Sequence, residues 1–111
     1  MWIRLGTFAV KPGHAAALRE TYNGRAVPKV RACAGNLGCL LLEPTTDGDP
    51  FVAVTIWQSR ADGDAYDASG TASEVVALVC EHFAGPPALR SYESSSAGGL
   101  APHAATGVQR R

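Results

Sequence analysis

The sequence predicts an α+β fold in which a four-stranded antiparallel sheet carries its helices on one face. Both alternating sets of Phe51 to Trp57 are apolar or nearly so, as in a strand buried on both faces at the middle of a sheet. An Asp47-Gly48 turn separates this run from a second apolar run, Leu37 to Glu43, which is typical of an antiparallel hairpin. The remaining apolar spacings complete the order β-α-β-β-α(α)-β, the ferredoxin-like plait.

The first strand of this order is predicted from Trp2 to Val10, where apolar residues alternate until the chain reaches Lys11-Pro12-Gly13. From His14 the spacing changes to steps of three and four, which is typical of one helical stripe: Ala15, Leu18, Tyr22, Ala26, Val30 and Cys33. A proline inside a helix costs ~3 kcal/mol, so a kink or restart is predicted near Val27-Pro28.

Two short helices are predicted after the central strand, from Arg60 to Ser69 and from Ala72 to Phe83. Ser59 lies three residues before Asp62 and Thr71 lies three residues before Glu74, and this spacing predicts a capping box at each helix start. Ala88 to Glu93 is predicted as the last strand. Residues 1–94 then form one domain, and residues 95–111 form a Ser/Gly/Ala-rich tail.

The charge balance bears on the partners of the chain. Ten Lys and Arg residues against ten Asp and Glu residues give a formal net charge of zero, and the one basic run is Arg110-Arg111. This balance argues against nucleic acid and anionic membranes as partners. Met1-Trp2-Ile3-Arg4 is followed by charged, proline and glycine residues, unlike a signal peptide or a spanning helix, so the chain is predicted to be cytoplasmic.

Metal-ligand spacing is missing from the sequence. The three cysteines, Cys33, Cys39 and Cys80, form no C-x-x-C motif, and they are predicted to be small buried hydrophobic residues. The three histidines are far apart in the sequence and form no H-x-x-x-H motif. We therefore expect no bound metal.

The two faces of the central strand both require cover. Val52, Val54 and Ile56 lie on the face opposite Trp57, and the helices cover one face of the sheet alone. A second copy of the sheet is the simplest cover for the other face, which predicts a homodimer.

Four short motifs carry a resemblance to the antibiotic biosynthesis monooxygenase (ABM) superfamily of dimeric α/β barrels. They are Lys11-Pro12-Gly13, Gly35-Asn36-Leu37-Gly38, Thr55-Ile56-Trp57-Gln58-Ser59 and Gly85-Pro86-Pro87. The similarity extends over residues 2–94. It implies the dimeric barrel fold and one of several activities: cofactor-independent quinone-forming oxygenation of aromatic polyketides, haem degradation, or isomerisation and cyclisation.

The catalytic residues that this resemblance implies are mostly replaced. Haem-degrading members carry an Asn, a Trp and an iron-ligating His at the positions that are here Gly6, Tyr66 and Val76. Quinone-forming members keep a Trp at the position of Trp57, with an Asn, a Tyr and an Arg at the positions that are here Ala53, Gly63 and Ala77. The protein is therefore expected to bind no haem, flavin or other cofactor.

Three kinds of side chain remain as catalytic candidates. Trp57 is a candidate to pack on a planar substrate and donate its indole N–H, or to be ordinary core. Tyr66 and Tyr22 are candidates to orient or protonate a substrate oxygen, or to pack a ring whose hydroxyl faces solvent. His82 is the candidate general base, although a histidine beside Glu81 at a helix end is more often a surface residue.

The predicted substrate-binding residues are Trp57, Tyr22, Phe8, Arg4 and Thr55. Arg4 would hold an anionic oxygen if it faces the helices, and would form an ion pair at the rim if it does not. The predicted function is a cofactor-independent monooxygenase acting on a small aromatic or polyketide-derived molecule. An isomerase or cyclase of the same fold and a non-catalytic binding protein are the alternatives.

Overall fold

The computed structural model describes residues 1–96 and 98. The strands are β1 (Trp2–Phe8), β2 (Asn36–Leu42), β3 (Phe51–Trp57) and β4 (Ala88–Glu93); the helices are α1 (Ala15–Thr21), α2 (Val27–Arg31), α3 (Arg60–Ala68) and α4 (Thr71–Val79). A π-helical turn (Tyr22–Ala26) joins α1 to α2, and a 3-10 turn (Cys80–His82) follows α4. The predicted tail at 95–111 lies mostly outside the described residues.

The four strands form one antiparallel sheet in the order β2-β3-β1-β4. This order confirms the predicted ferredoxin-like plait, with β1 and β3 at the centre. Arg4 pairs with Thr55, and Leu5 pairs with Val54. Because directly opposite residues share a face, the sheet separates two sets of side chains, and Arg4 lies in the set that faces the helices.

The core lies between the helices and this face of the sheet. Leu18, Val30 and Trp57 are fully buried in it. Phe8 stacks on Phe83 with ring centroids 4.2 Å apart, which packs β1 against the segment that follows α4.

The first helical segment runs without a break from Ala15 to Arg31 through the π-helical turn. Pro28 is the second residue of α2 and has no N–H to donate within this continuous segment. The sequence predicted a kink or a restart near Val27-Pro28, and the structure has a π-helical turn that ends at Ala26, directly before Val27. The buried residues of the whole helical segment form one stripe: Leu18, Tyr22, Ala26 and Val30.

The two predicted capping boxes have different outcomes. The Ser59 hydroxyl accepts a hydrogen bond from the Asp62 backbone N–H at 3.2 Å, so the first box is confirmed in its N-cap bond. The second prediction is wrong, because α4 begins at Thr71 itself. Its N-cap is Gly70, which has a φ of 86° and no side chain that could accept a hydrogen bond from the first turn of the helix.

The sheet face opposite the helices is apolar and has no layer over it in the described part of the chain. The side chains of Leu40 and Leu42 are each 48% exposed, and Tyr92 is 52% exposed. Val54 and Ile56 at the centre of this face are buried to less than 10% exposure. We refer to this surface as the open sheet face.

Cys33 and Cys39 are partly buried and Cys80 is exposed, and all three are free thiols. The prediction that the cysteines are buried is therefore wrong for Cys80. None of the helices in the described residues is both long enough and apolar enough to span a bilayer.

Candidate functional site

A cavity of about 530 Å³ lies between the helices and the sheet. Its walls are mostly apolar and come from β1, β3 and β4 of the sheet, from α3 and α4, and from the segment that contains Tyr22 and Val30. Five of the residues predicted from the sequence as site residues line it: Arg4, Phe8, Tyr22, Thr55 and Tyr66. A cavity of this size matches the range of small-molecule sites, which makes it the candidate functional site.

Small residues on the two central strands create the space. Gly6 and Ala53 are paired across β1 and β3, and both line the cavity. A Cβ atom at Gly6 would lie 3.4 Å from the side chain of Leu89 on β4. Larger side chains at either position would therefore fill the hollow above the sheet.

Two charged side chains face each other at this cavity. Arg4 on β1 donates a hydrogen bond from Nη1 to Oδ1 of Asp67 on α3, and both residues line the cavity. The side chains are 19% and 45% exposed, so Arg4 is the more deeply placed partner. They are the only charged residues among the described lining residues.

Two phenols also line the cavity. The Tyr22 hydroxyl lies 3.3 Å from the Cys39 thiol sulfur, and burial raises the pKa of Tyr22 far above its ordinary value. Burial likewise raises the pKa of Tyr66, whose ring packs on Trp57 with centroids 4.8 Å apart. Both phenols are therefore protonated at neutral pH, and they serve as hydrogen-bonding groups and not as bases.

Trp57 lies one layer behind the cavity wall. Its side chain is fully buried and donates the indole N–H to Thr55 Oγ1 at 2.9 Å. The sequence left two roles open for Trp57, donation of this N–H to a substrate or ordinary core packing. In the structure the tryptophan contacts two lining residues, Thr55 through the hydrogen bond and Tyr66 through ring packing.

His82 is buried, but it is not a lining residue of the cavity. Its Nδ1 lies 3.0 Å from Nδ1 of His14. Because a hydrogen bond needs one donor and one acceptor, one ring donates its N–H to the other. The pair ties the start of α1 to the turn after α4 and separates His82 from the other predicted site residues.

Two contributions to the site were not predicted from the sequence. Asp67 was not predicted, and neither were the valines of α4 that face the cavity, Val75, Val76 and Val79. A signal for Asp67 was present in the helical spacing, because residues 63, 66 and 67 lie on one face of a helix. The isolated charge of Arg4 on a central strand also required a partner of opposite sign.

Four positions at which the resemblance implied catalytic residues line the cavity: Gly6, Ala53, Tyr66 and Val76. Of the other two, Gly63 is buried against the Trp2 ring and Ala77 is exposed. The cavity therefore lies where the resemblance places a site, with small or apolar residues at most of the catalytic positions.

Structures of other proteins share this fold. A Nitrosomonas europaea protein described as a candidate antibiotic biosynthesis monooxygenase is 19% identical, with a TM-score of 0.72 over 86% of this chain and 100% of that chain. Rv0793 from Mycobacterium tuberculosis is 22% identical, with a TM-score of 0.70 over 88% and 98% of the two chains. An MhuD variant, whose structure holds two manganese protoporphyrin IX molecules per active site, is 25% identical, with a TM-score of 0.69 over 89% and 99%.

No curated protein sequence matches the chain. The family model described as antibiotic biosynthesis monooxygenase matches residues 1–84, which include β1 to β3, all four helices and most of the cavity lining. The chain therefore belongs to the antibiotic biosynthesis monooxygenase family.

Proposed function

We propose that the protein is a cofactor-independent monooxygenase that acts on a flat aromatic or polyketide-derived molecule bound in the cavity. The observation that carries the proposal is the combination of an apolar cavity of about 530 Å³ with one charged pair, Arg4 and Asp67, on its wall. An apolar cavity takes up a planar aromatic body, and the guanidinium is placed to hold an oxygen of the same molecule.

The chemistry we propose needs a substrate that gives up a proton easily. An enolisable aromatic ketone loses a proton to become a carbanion, and the carbanion reduces dioxygen without help from a flavin or a metal. The protein then has to bind the ketone, accept its proton and stabilise the negative charge on its oxygen. These are tasks for side chains of the kinds that line the cavity.

Haem does not fit the donor set of the cavity. Among the described lining residues, the only groups that act as axial ligands to haem iron elsewhere are the phenols of Tyr22 and Tyr66. Burial raises the pKa of both, which disfavours the phenolate that iron would require. The described lining residues therefore offer no side chain suited to hold haem iron.

Anthrone is a suitable first probe, since its carbanion reacts with dioxygen to give anthraquinone and water. We expect the wild type to accelerate oxygen uptake and to form one anthraquinone for each dioxygen consumed. Ala53→Leu, which fills the floor of the cavity, should lower this rate at least 10-fold, whereas Ala17→Leu on the exposed side of α1 should not change it. Equal rates in all three proteins would place the reaction outside the cavity.

The residues predicted from the sequence supply a second comparison. Tyr66→Phe removes a hydroxyl from the cavity wall, and Trp57→Phe removes the N–H that holds Thr55. Removing a hydrogen bond to a developing oxyanion typically costs ~10²-fold in turnover. Unchanged turnover and affinity in both variants would show that these side chains neither touch nor position the substrate.

A non-catalytic binding protein is the second candidate. It is favoured by the small or apolar residues Gly6, Ala53 and Val76, which line the cavity at positions where the resemblance implies catalytic side chains. This candidate would be supported if anthrone or anthraquinone binds in the cavity while the protein takes up oxygen no faster than buffer does.

The functional unit we propose is a homodimer joined through the open sheet face. Leu40, Leu42 and Tyr92 leave an apolar surface that a second sheet would cover. Leu40→Glu should give a folded monomer in light scattering, because this side chain is half exposed in the single chain. Ala17→Glu adds the same charge to exposed α1 and should leave the dimer intact. A monomeric wild type at low micromolar concentration would refute the dimer.

A further inference from the structure

The reaction proposed above needs a group that accepts the substrate proton, and among the described residues of the cavity wall only one side chain is suited to do so. The phenols of Tyr22 and Tyr66 are held protonated by burial, which raises the pKa of each. His82 is engaged with His14 and does not line the cavity. Asp67 is the only carboxylate among the described lining residues.

The position of Asp67 suits a base better than a purely structural ion-pair partner. It lies on the cavity-facing side of α3, one residue after Tyr66, and one of its oxygens accepts a hydrogen bond from Arg4. A carboxylate has two oxygens with lone pairs on each, so the second oxygen is available to a ligand. The side chain is 45% exposed, and an incoming molecule would reach it from the cavity without breaking the core.

We propose that Asp67 is the general base that deprotonates the substrate, and that Arg4 receives the negative charge which this step creates. The inference rests on the proposed function. A C–H bond next to the substrate carbonyl breaks, its proton forms an O–H bond with the Asp67 carboxylate, and the electron pair remains on the substrate as an enolate. Protonation neutralises Asp67 and frees Arg4 to pair with the enolate oxygen.

The charge balance favours this assignment. Before the step, the cavity holds the arginine cation and the aspartate anion; after it, the cavity holds the same cation and the enolate anion. The negative charge moves from one oxygen to another beside the same guanidinium, so no unpaired charge forms in apolar surroundings. A base without a neighbouring cation would leave the enolate unpaired.

Proton transfer is measured separately from oxidation by excluding oxygen. Anthrone is incubated with the protein in D₂O under anaerobic conditions, and exchange of its C10 protons for deuterium is followed by NMR. We expect the wild type to accelerate exchange and Asp67→Asn to lower the enzymatic rate by ~10² or more, which is the usual contribution of a general base. Asp67→Glu keeps a carboxylate and should restore part of the rate.

The matched control is Asp64→Asn, which removes another carboxylate from the same helix. Asp64 is 62% exposed and lies 3.6 Å from Arg60, away from the cavity. This variant should exchange anthrone at the wild-type rate. If Asp64→Asn lowers the exchange rate as much as Asp67→Asn does, the effect comes from the overall charge of α3, and the assignment of Asp67 as the base is wrong.

A binding measurement distinguishes a base from a structural residue. Asp67→Asn leaves Arg4 without its anionic partner, so the variant should bind a planar anion, 9-anthracenecarboxylate, at least as tightly as the wild type does. Weaker binding of this anion, together with a lower melting temperature, would show that Asp67 supports the structure instead, and would refute the proposal.

The outcomes separate the base from the oxygenase reaction. A wild type that accelerates neither exchange nor oxygen uptake refutes the proposed function and the base together. A wild type that accelerates exchange but consumes no dioxygen refutes the oxygenase while supporting the base, provided that Asp67→Asn is impaired. If the wild type is active and Asp67→Asn exchanges anthrone protons at a rate within about threefold of the wild-type rate, Asp67 is not the base, although the proposed function stands.

Discussion

Gly63→Ala tests the packing between β1 and α3. In most helices an alanine in place of glycine stabilises the helix by ~1 kcal/mol. Here a Cβ atom at this position would lie 2.6 Å from Cδ1 and 3.0 Å from Nε1 of the Trp2 ring. Favourable contacts between carbon atoms lie near ~3.5–4.0 Å, so the overlap is about 1 Å. The structure therefore predicts that alanine destabilises the protein.

The expected change in the free energy of unfolding is the difference between two opposed contributions. Forcing an extra carbon into a packed contact costs ~1–3 kcal/mol, against the ~1 kcal/mol gained in helix propensity. Trp2 pairs with Trp57 and Glu93 on a central strand, and the Arg60 guanidinium lies 5.2 Å from its ring centroid, so moving the ring disturbs further contacts. We expect a net loss of ~1 kcal/mol, or roughly 4–8 °C in melting temperature.

The assay is a double-mutant cycle measured by urea and thermal unfolding. In a Trp2→Ala background the ring is absent, so Gly63→Ala should stabilise that variant by ~1 kcal/mol. The sign of the alanine effect should thus reverse, with a coupling energy of ~2 kcal/mol between the two positions. Stabilisation of the wild type by Gly63→Ala, or the same effect in both backgrounds, would refute the packing argument.

Two further predictions concern a turn and a buried phenol. Gly35 and Gly48 have φ of 79° and 91°, so alanine at either costs ~1–2 kcal/mol, but at Gly35 it also overlaps the Asp62 carboxyl group. Gly35→Ala should lower the urea midpoint more than Gly48→Ala does, and equal losses would exclude the overlap. Burial raises the pKa of Tyr22, so the folded protein retains a proton that the unfolded chain releases near pH 10. Stability should therefore fall as pH rises above about 10, and Tyr22→Phe should reduce this fall; an unchanged dependence would contradict the burial of the phenol.

The sheet was largely predictable, because the apolar pattern of its strands matches their position in the sheet. Phe51–Trp57 is apolar on both faces, and the structure places a strand with the same bounds between β1 and β2. Ala88–Glu93 also has its predicted bounds, although all six of its residues are exposed. The bounds of β2 are shifted by one residue toward the N-terminus, to Asn36–Leu42. The strand order then followed from the order of the elements.

The cavity was less predictable, because it depends on which side chains meet across the fold. Trp57 was predicted at the cavity from its residue type, yet a fully buried indole needs a hydrogen-bond partner, and Thr55 two residues earlier supplies it. His82 was assigned from its chemistry alone, whereas its position depends on His14, 68 residues away in the chain. Helical spacing puts Asp67 on the same face of α3 as Tyr66, but it does not show that this face meets Arg4 on β1.

The π-helical turn between α1 and α2 keeps the buried stripe in phase. Leu18, Tyr22, Ala26 and Val30 follow one another at steps of four, and each such step advances about 40° around an ideal α-helix of 3.6 residues per turn. Three steps would rotate Val30 by roughly 120° from Leu18, onto the side of the helix away from the sheet. The wider turn absorbs part of this rotation. A regular α-helix through Tyr22–Ala26 would therefore move Val30 out of the buried stripe that begins at Leu18.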